Sequence, residues 1–221
     1  MNFDAATVQM IGVGILETLY MTFVSSFLAY VIGLPLGVVL VVTKREGIHP
    51  IPWLEKFLGF AVNILRSVPF IIMLILVLPL TKVIVGTTIG ATAVIVPLVI
   101  AAAPYVARVV ESSITEVDAG VIEAAKSMGA STWQIIMKVL IPEAKPSLLV
   151  GAALCVTTIL SYSAMSGFVG GGGLGDIAIR YGYYRYQVGI MIVTVVILVA
   201  IVQVIQEAGL KFSKKTDKRI K

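Results

Sequence analysis

Four stretches of this chain contain no Asp, Glu, Lys or Arg: residues 18–43, 83–107, 146–175 and 186–206. Each is near or above the roughly 20 residues that carry an α-helix through a hydrocarbon core. A fifth apolar stretch, 57–81, is interrupted only by Arg66. With 58% hydrophobic and 13% charged residues, the chain lies far from soluble usage, where about 25% is charged. Five such spans within 221 residues leave no room for a soluble domain. The expectation is an all-α membrane protein forming one domain, 1–221. Its spans are expected at about 18–43, 57–80, 84–107, 147–167 and 187–208, with a polar loop over about 109–145. The first apolar run starts too late and is too long for a cleaved signal peptide, and no basic segment precedes it. A single cysteine, Cys155, falls inside a span and has no intrachain partner for a disulfide.

Lysine and arginine set the expected orientation. One face collects Lys44, Arg45, Lys56, Arg108, Lys126, Lys138, Lys145 and six residues from Lys211 to Lys221, thirteen in all. The other holds three, Lys82, Arg180 and Arg185, with Arg66 set aside. The positive-inside rule then places the N-terminus outside and the C-terminus in the cytoplasm. An odd number of spans requires the same separation. The net charge of +5 is spread along inside loops, so no nucleic-acid partner is expected. The basic tail reads as a topology anchor that also attracts anionic membrane lipid.

The polar stretch between the third and fourth spans is unusually ordered for a loop. Nine charged residues fall among the 38 from Arg108 to Lys145. Asp118 can cap a helix starting at Ala119, and Gly129 can close it in the left-handed conformation. Ser131 through Gln134 matches a capping box and opens a second helix, which Pro142 ends or kinks. Val121, Ile122, Ala125 and Met128 recur at helical spacing and give an apolar face. Small Ala124 and Ala125 lie beside it, with Glu123 and Lys126 at the rim. That arrangement suits docking of another protein; the competing reading is a surface helix resting on lipid headgroups.

Glu123-Ala124-Ala125, then Gly129, then Val139-Leu140-Ile141-Pro142 resembles the EAA loop of ABC importer permeases. Further segments are similar to the methionine-importer permease family: Asn63 to Phe70, Ile84 to Gly90, Ala102 to Arg108, Ser161 to Gly167 and Gly170 to Asp176. The resemblance implies the type I importer permease fold in a bacterial inner membrane. It implies a second copy of the chain as partner, two ATPase subunits below, and a separate substrate-binding protein outside. Glu123, Ala124, Ala125, Met128, Gly129 and Pro142 would then form the coupling contact with the ATPase. ATP and magnesium would sit on that ATPase, and this chain would bind no cofactor. The substrate implied is methionine, with another amino acid or small organic solute as the alternative.

Individual residues invite further expectations. Arg66, some ten residues into the second expected span, would cost roughly 2.5–3.5 kcal/mol if left at the bilayer centre. It is therefore an anchor reaching the inner headgroups or a gating residue. Tyr162, Ser163, Met165 and Ser166 lie towards the outer end of the fourth span. There a thioether could pack on Tyr and Met and the hydroxyls could hold charged groups, unless the segment is ordinary helix packing. Gly170 to Gly173 lacks the strand, the helix and the Lys-Ser/Thr of a phosphate loop. With one histidine, His49, and one cysteine, no nucleophile–base pair or metal cluster is legible, so an enzyme is not expected. Glu17, Glu207 and Asp176 lie at span ends or in a loop, which argues against an ion-coupled transporter.

Overall fold

The computed structural model of the protein describes residues 4–216, with the side chains of Lys214 and Thr216 excluded. The outermost basic residues of the tail, 217–221, and the first three residues lie outside the described part. Among the described residues every regular element is helical. Four helices are long and apolar enough to cross a membrane, or five if one sharply bent pair counts as a single span. The expected all-α membrane architecture is present.

α1 (Ala5–Val42) begins well before the expected residue 18. Asp4 caps it by accepting from the Thr7 backbone N–H at 2.9 Å. Glu17 does not end the apolar span because its carboxylate is occupied by a backbone N–H of a distant loop (below). The second expected span, 57–80, is not one helix. α2 (Pro52–Ser67) and α3 (Phe70–Val85) meet at 107°. Pro69 is the cause: it forces Val68 into extended backbone (φ −79°, ψ 124°) and then serves as the N-cap of α3. α4 (Ala91–Thr115) starts later than the expected 84, because α3 runs to Val85 and closes at the left-handed Gly86, and it ends later than 107, because Arg108 and Glu111 are neutralised inside the helix instead of ending it.

The expected polar loop over 109–145 contains almost no loop. It holds the end of α4, the short α5 (Ala119–Ser127) and the start of a long helix. That helix comprises α6 (Thr132–Ile135), a π turn (Ile136–Leu140) and α7 (Ile141–Met165), and spans 38 residues to Val169. Pro142 therefore does not stop it. A proline inside a helix lacks an N–H and crowds the carbonyl four residues back. The wider turn just before it, closed by the Ile141 N–H donating to Ile136 O, lets the chain accommodate the ring. A 3₁₀ turn (Ser166–Val169), α8 (Gly173–Ile177) and a second π segment (Ala178–Tyr183) lead into α9 (Val188–Thr216).

α4 is the axis of the bundle. Leu98, Val106 and Val110 are fully buried, clustered with Met21 and Ala29 of α1, Leu74 of α3, and Cys155 and Ile159 of α7, while buried Ala107 packs with Leu40 of α1 and Val62 of α2. α1 lies against α4 along Gly33 and Gly37, a small-xxx-small pair. A Cβ on Gly33 would stand 2.6 Å from Val106 Cβ and 2.7 Å from Ala103 O, and one on Gly37 would stand 2.5 Å from Ala107 O. Only hydrogen fits there. At one end of this contact Glu111 of α4 accepts from Lys44 Nζ, just past the end of α1, at 2.9 Å and from Arg108 Nη1 of its own helix at 2.6 Å. Arg108 Nη2 also donates to Asn63 Oδ1 at 2.7 Å and Gly59 O at 3.1 Å on α2.

Replacing Gly37 by Leu should separate α1 from α4. Overpacking of this kind costs on the order of 1–3 kcal/mol, measurable as a lowered thermal midpoint in detergent. Gly12→Leu, on the same helix with nothing within 4 Å of its Cβ position, should leave the midpoint within about 0.5 kcal/mol of the parent.

Candidate functional site

Three groups of residues from the sequence analysis occupy different places in the bundle. The first lies at the basic end, around α5. Asp118 accepts from the Gly120 N–H at 2.7 Å. At the other end Gly129 takes φ +76°, with Gly129 N–H donating to Lys126 O at 2.9 Å and Ala130 N–H to Ala125 O at 3.1 Å. This 5→2 and 6→1 pair is a Schellman closure, and glycine supplies its left-handed residue without steric cost. Ser131 and Gln134 then form a reciprocal capping box, at 3.3 Å and 2.9 Å. Both helix ends are thus satisfied, so the corner between α5 and α6 is defined.

The anticipated apolar face of α5 divides in two. Ala125 is buried and Ile122 half-buried, packed against the bundle core. Val121 and Met128 instead point outwards, beside exposed Glu123, Ala124 and Gly129, and Met128 is 81% exposed. Pro142 is exposed on the neighbouring helix. Two residues not anticipated from the sequence, Trp133 and Met137, are also exposed on the helix that follows the corner, at 69% and 46%. Their i, i+4 spacing on a helix opening with a capping box was the available signal. Behind α5 lies a cavity of about 220 Å³, lined in part by Lys44, Glu46, Ile122 and Lys126.

The second group surrounds the glycine run at the opposite end of α7. Gly170, Gly172 and Gly173 all have positive φ. Their loop is tied to α1: Gly173 N–H donates to Glu17 Oε2 at 2.7 Å and Leu174 N–H to Thr18 Oγ1 at 2.9 Å. Asp176 pairs with Arg180 at 3.0 Å. Burial pushes the Asp176 carboxyl above its ordinary value, and Arg180 opposes that shift. These groups border an open cavity of about 540 Å³ against α1. The glycine run follows a 3₁₀ turn, not a strand, so the context of a phosphate loop is missing.

The third group, Tyr162, Ser163, Met165 and Ser166, does not converge on one space. Tyr162 stacks on Phe70 of α3, ring centroids 4.5 Å apart and planes at 2°. Ser163 and Ser166 are buried, and their hydroxyls donate to Leu160 O at 2.7 Å and Ser163 O at 2.6 Å. Met165 alone among the four is exposed, on a groove between α7 and α9 with a volume of about 490 Å³. Arg66 is exposed in the last turn of α2, just before the bend. There its charge complements the negative end of the helix dipole.

Comparison with known proteins agrees with this architecture. Residues 30–208 match the family model described as binding-protein-dependent transport system inner membrane component. A probable D-methionine transport system permease protein, MetI, of Vibrio cholerae is 52% identical over 92% of this chain and 90% of its own length. Its counterpart of the same description in Pasteurella multocida is 44% identical over 96% of this chain and 97% of its own. A chain in the solved inward-facing conformations of the MetNI methionine ABC transporter superposes with a TM-score of 0.96 at 45% identity. That match covers 98% of this chain and all of the other. An amino acid ABC transporter chain with 22% identity and a TM-score of 0.79 shares the fold. With more than half its length matched by the family model, the chain belongs to the inner-membrane permease components of binding-protein-dependent transport systems.

Proposed function

We propose that this chain is the permease subunit of an ATP-driven importer of methionine. The observation that carries this reading is the near-complete superposition on a chain of the MetNI methionine transporter, supported by relatives described as D-methionine permeases. Two copies of the chain would form the membrane pathway. A pair of ATPase subunits would sit at the basic end, which is the cytoplasmic one by the positive-inside rule. A substrate-binding protein would deliver methionine at the glycine end, outside. ATP and magnesium belong to the ATPase, so this chain needs no cofactor.

The docking surface in this reading is the outward patch of Val121, Glu123, Ala124, Met128 and Gly129, continued by Trp133, Met137 and Pro142. Large exposed apolar side chains at the polar end of a membrane bundle call for a partner. Ala124 and Gly129 let that partner approach the backbone closely. Motion of the docked ATPase would reach the membrane through the helix Thr132–Val169, which runs unbroken from the patch to the glycine loop. ATP can shift the bundle between inward-open and outward-open states only if the patch is held differently in the two. Arg66 acts as an anchor at the bend between α2 and α3.

Labelled L-methionine uptake tests the substrate. Cells lacking their own importers, given this chain with its ATPase and binding protein, should accumulate methionine, and removing the ATPase should abolish accumulation. An assembled complex that hydrolyses ATP yet moves no methionine would redirect the search to another amino acid or small organic solute. The docking surface has its own test. Met128→Glu should weaken retention of the ATPase by about tenfold, or about 1.4 kcal/mol, in co-purification. Gly129→Ala and Gly129→Trp share the backbone strain of a left-handed residue, about 1–2 kcal/mol, and neither meets protein within 4 Å at Cβ. A much larger loss of transport for Trp than for Ala would report the approaching partner; equal losses would remove the docking role of Gly129.

A further inference from the structure

The cavity behind α5 separates the candidate docking helix from the rest of the bundle. Protein interiors are close-packed, with few voids larger than a water molecule, so about 220 Å³ at this place is room for movement. Ile122 and Lys126, one turn apart on α5, border it from one side. Ile114 at the end of α4 and Leu140 of the first π turn form an apolar floor. The turn after α1 closes the far side with Lys44 and Glu46.

The two sides differ in how firmly they are held. The turn after α1 is pinned by His49 N–H donating to Val42 O and Ile51 N–H to Thr43 O, both at 3.0 Å, and by Lys44 on Glu111 at 2.9 Å. α5 has nine residues and meets the core through Ala125 and Ile122. Asp118 and Gly129 close its ends with local bonds, so it can shift as a unit. Val121, Ala124 and Met128 lie exposed on its other face, and a load applied there drives α5 towards the cavity. Opposite charges await that movement. Lys126 rides on α5 and Glu46 sits on the pinned turn. Both are exposed at the rim, and neither has an ion pair among the described residues. Lys44, the other cation bordering the cavity, is already engaged by Glu111.

Resting on the reading that an ATPase docks on the outward face of α5, we infer that α5 is a yielding contact. Under load it moves into the cavity and is held there by an ion pair between Lys126 and Glu46. The loaded position presses half-buried Ile122 against the floor of Ile114 and Leu140. The unloaded position is that of this structure, with the cavity open and the two charges apart. Two positions of one short helix give the ATPase a contact that differs between states, which any shift of the bundle's equilibrium requires. An accessible ion pair contributes little, so it biases the two positions without trapping α5 in either.

Charge exchange tests this, with the ATPase titrated onto the full chain in lipid nanodiscs. Lys126→Glu and Glu46→Lys should each weaken ATPase binding by about two- to fivefold, the scale of an accessible ion pair. The double variant, Glu46→Lys with Lys126→Glu, should return to within about twofold of the parent, because groups that interact give non-additive changes. A direct contact of Lys126 with the ATPase predicts no such rescue. Spin labels at Glu46→Cys and Lys126→Cys, beside the buried native Cys155 and a cysteine-free ATPase, follow the movement itself. Their separation should be shorter with ATPase bound than without it. A double variant no better than the weaker single, or one separation in both conditions, overturns the inference. A parent chain that binds no ATPase would instead overturn the docking reading, so the two failures are separable.

Discussion

The bundle depends on the contact of α1 with α4 at Gly33 and Gly37. Lipid tails are as apolar as leucine, so burying apolar side chains does little to hold two helices together in a bilayer. Close backbone approach does, through dispersion and packing. Here the glycines bring α1 onto the Ala103, Val106, Ala107 and Val110 ridge of α4 until no Cβ would fit. α4 in turn supports α3 and α7. The Lys44–Glu111–Arg108 cluster locks one end of the α1–α4 contact, and the Glu17 and Thr18 bonds to the glycine loop hold α1 at the other.

On that axis the two breaks in helical regularity divide the labour. At Pro69 the chain turns by 107°, because a residue preceding proline is driven out of the helical region. At Pro142 the chain keeps going, because a π turn lies just before the ring. The same residue type thus ends one helix and leaves another continuous. The continuous one joins the outward patch around Met128 and Trp133 to the glycine loop, with the α7–α9 groove alongside its far half. A continuous helix of this length can carry a displacement from one end of the bundle to the other.

Several charges within the long helices are placed where a partner or a helix end receives them. Glu17 accepts a backbone N–H, Arg108 and Glu111 neutralise each other, and Arg66 sits at a helix C-terminus.

Much was legible in the chain itself. Uncharged run length dictates membrane-crossing helices, because only internal hydrogen bonding is available in hydrocarbon. The capped corner at Asp118, Gly129 and Ser131 is written in local chemistry that needs no tertiary support. Helix ends were less legible, since Glu17, Arg108 and Glu111 read as boundaries until their partners from other elements are in place. The inward or outward choice along α5, with Ala125 buried and Met128 exposed, was also beyond the sequence. Periodicity defines a face but not what covers it. Likewise Tyr162 to Ser166 read as one constellation, and only the packed bundle separates a stacked ring, two spent hydroxyls and one free thioether. Helix count and local caps are properties of nearby residues; span limits, facing and site membership are set by which distant groups arrive to satisfy them.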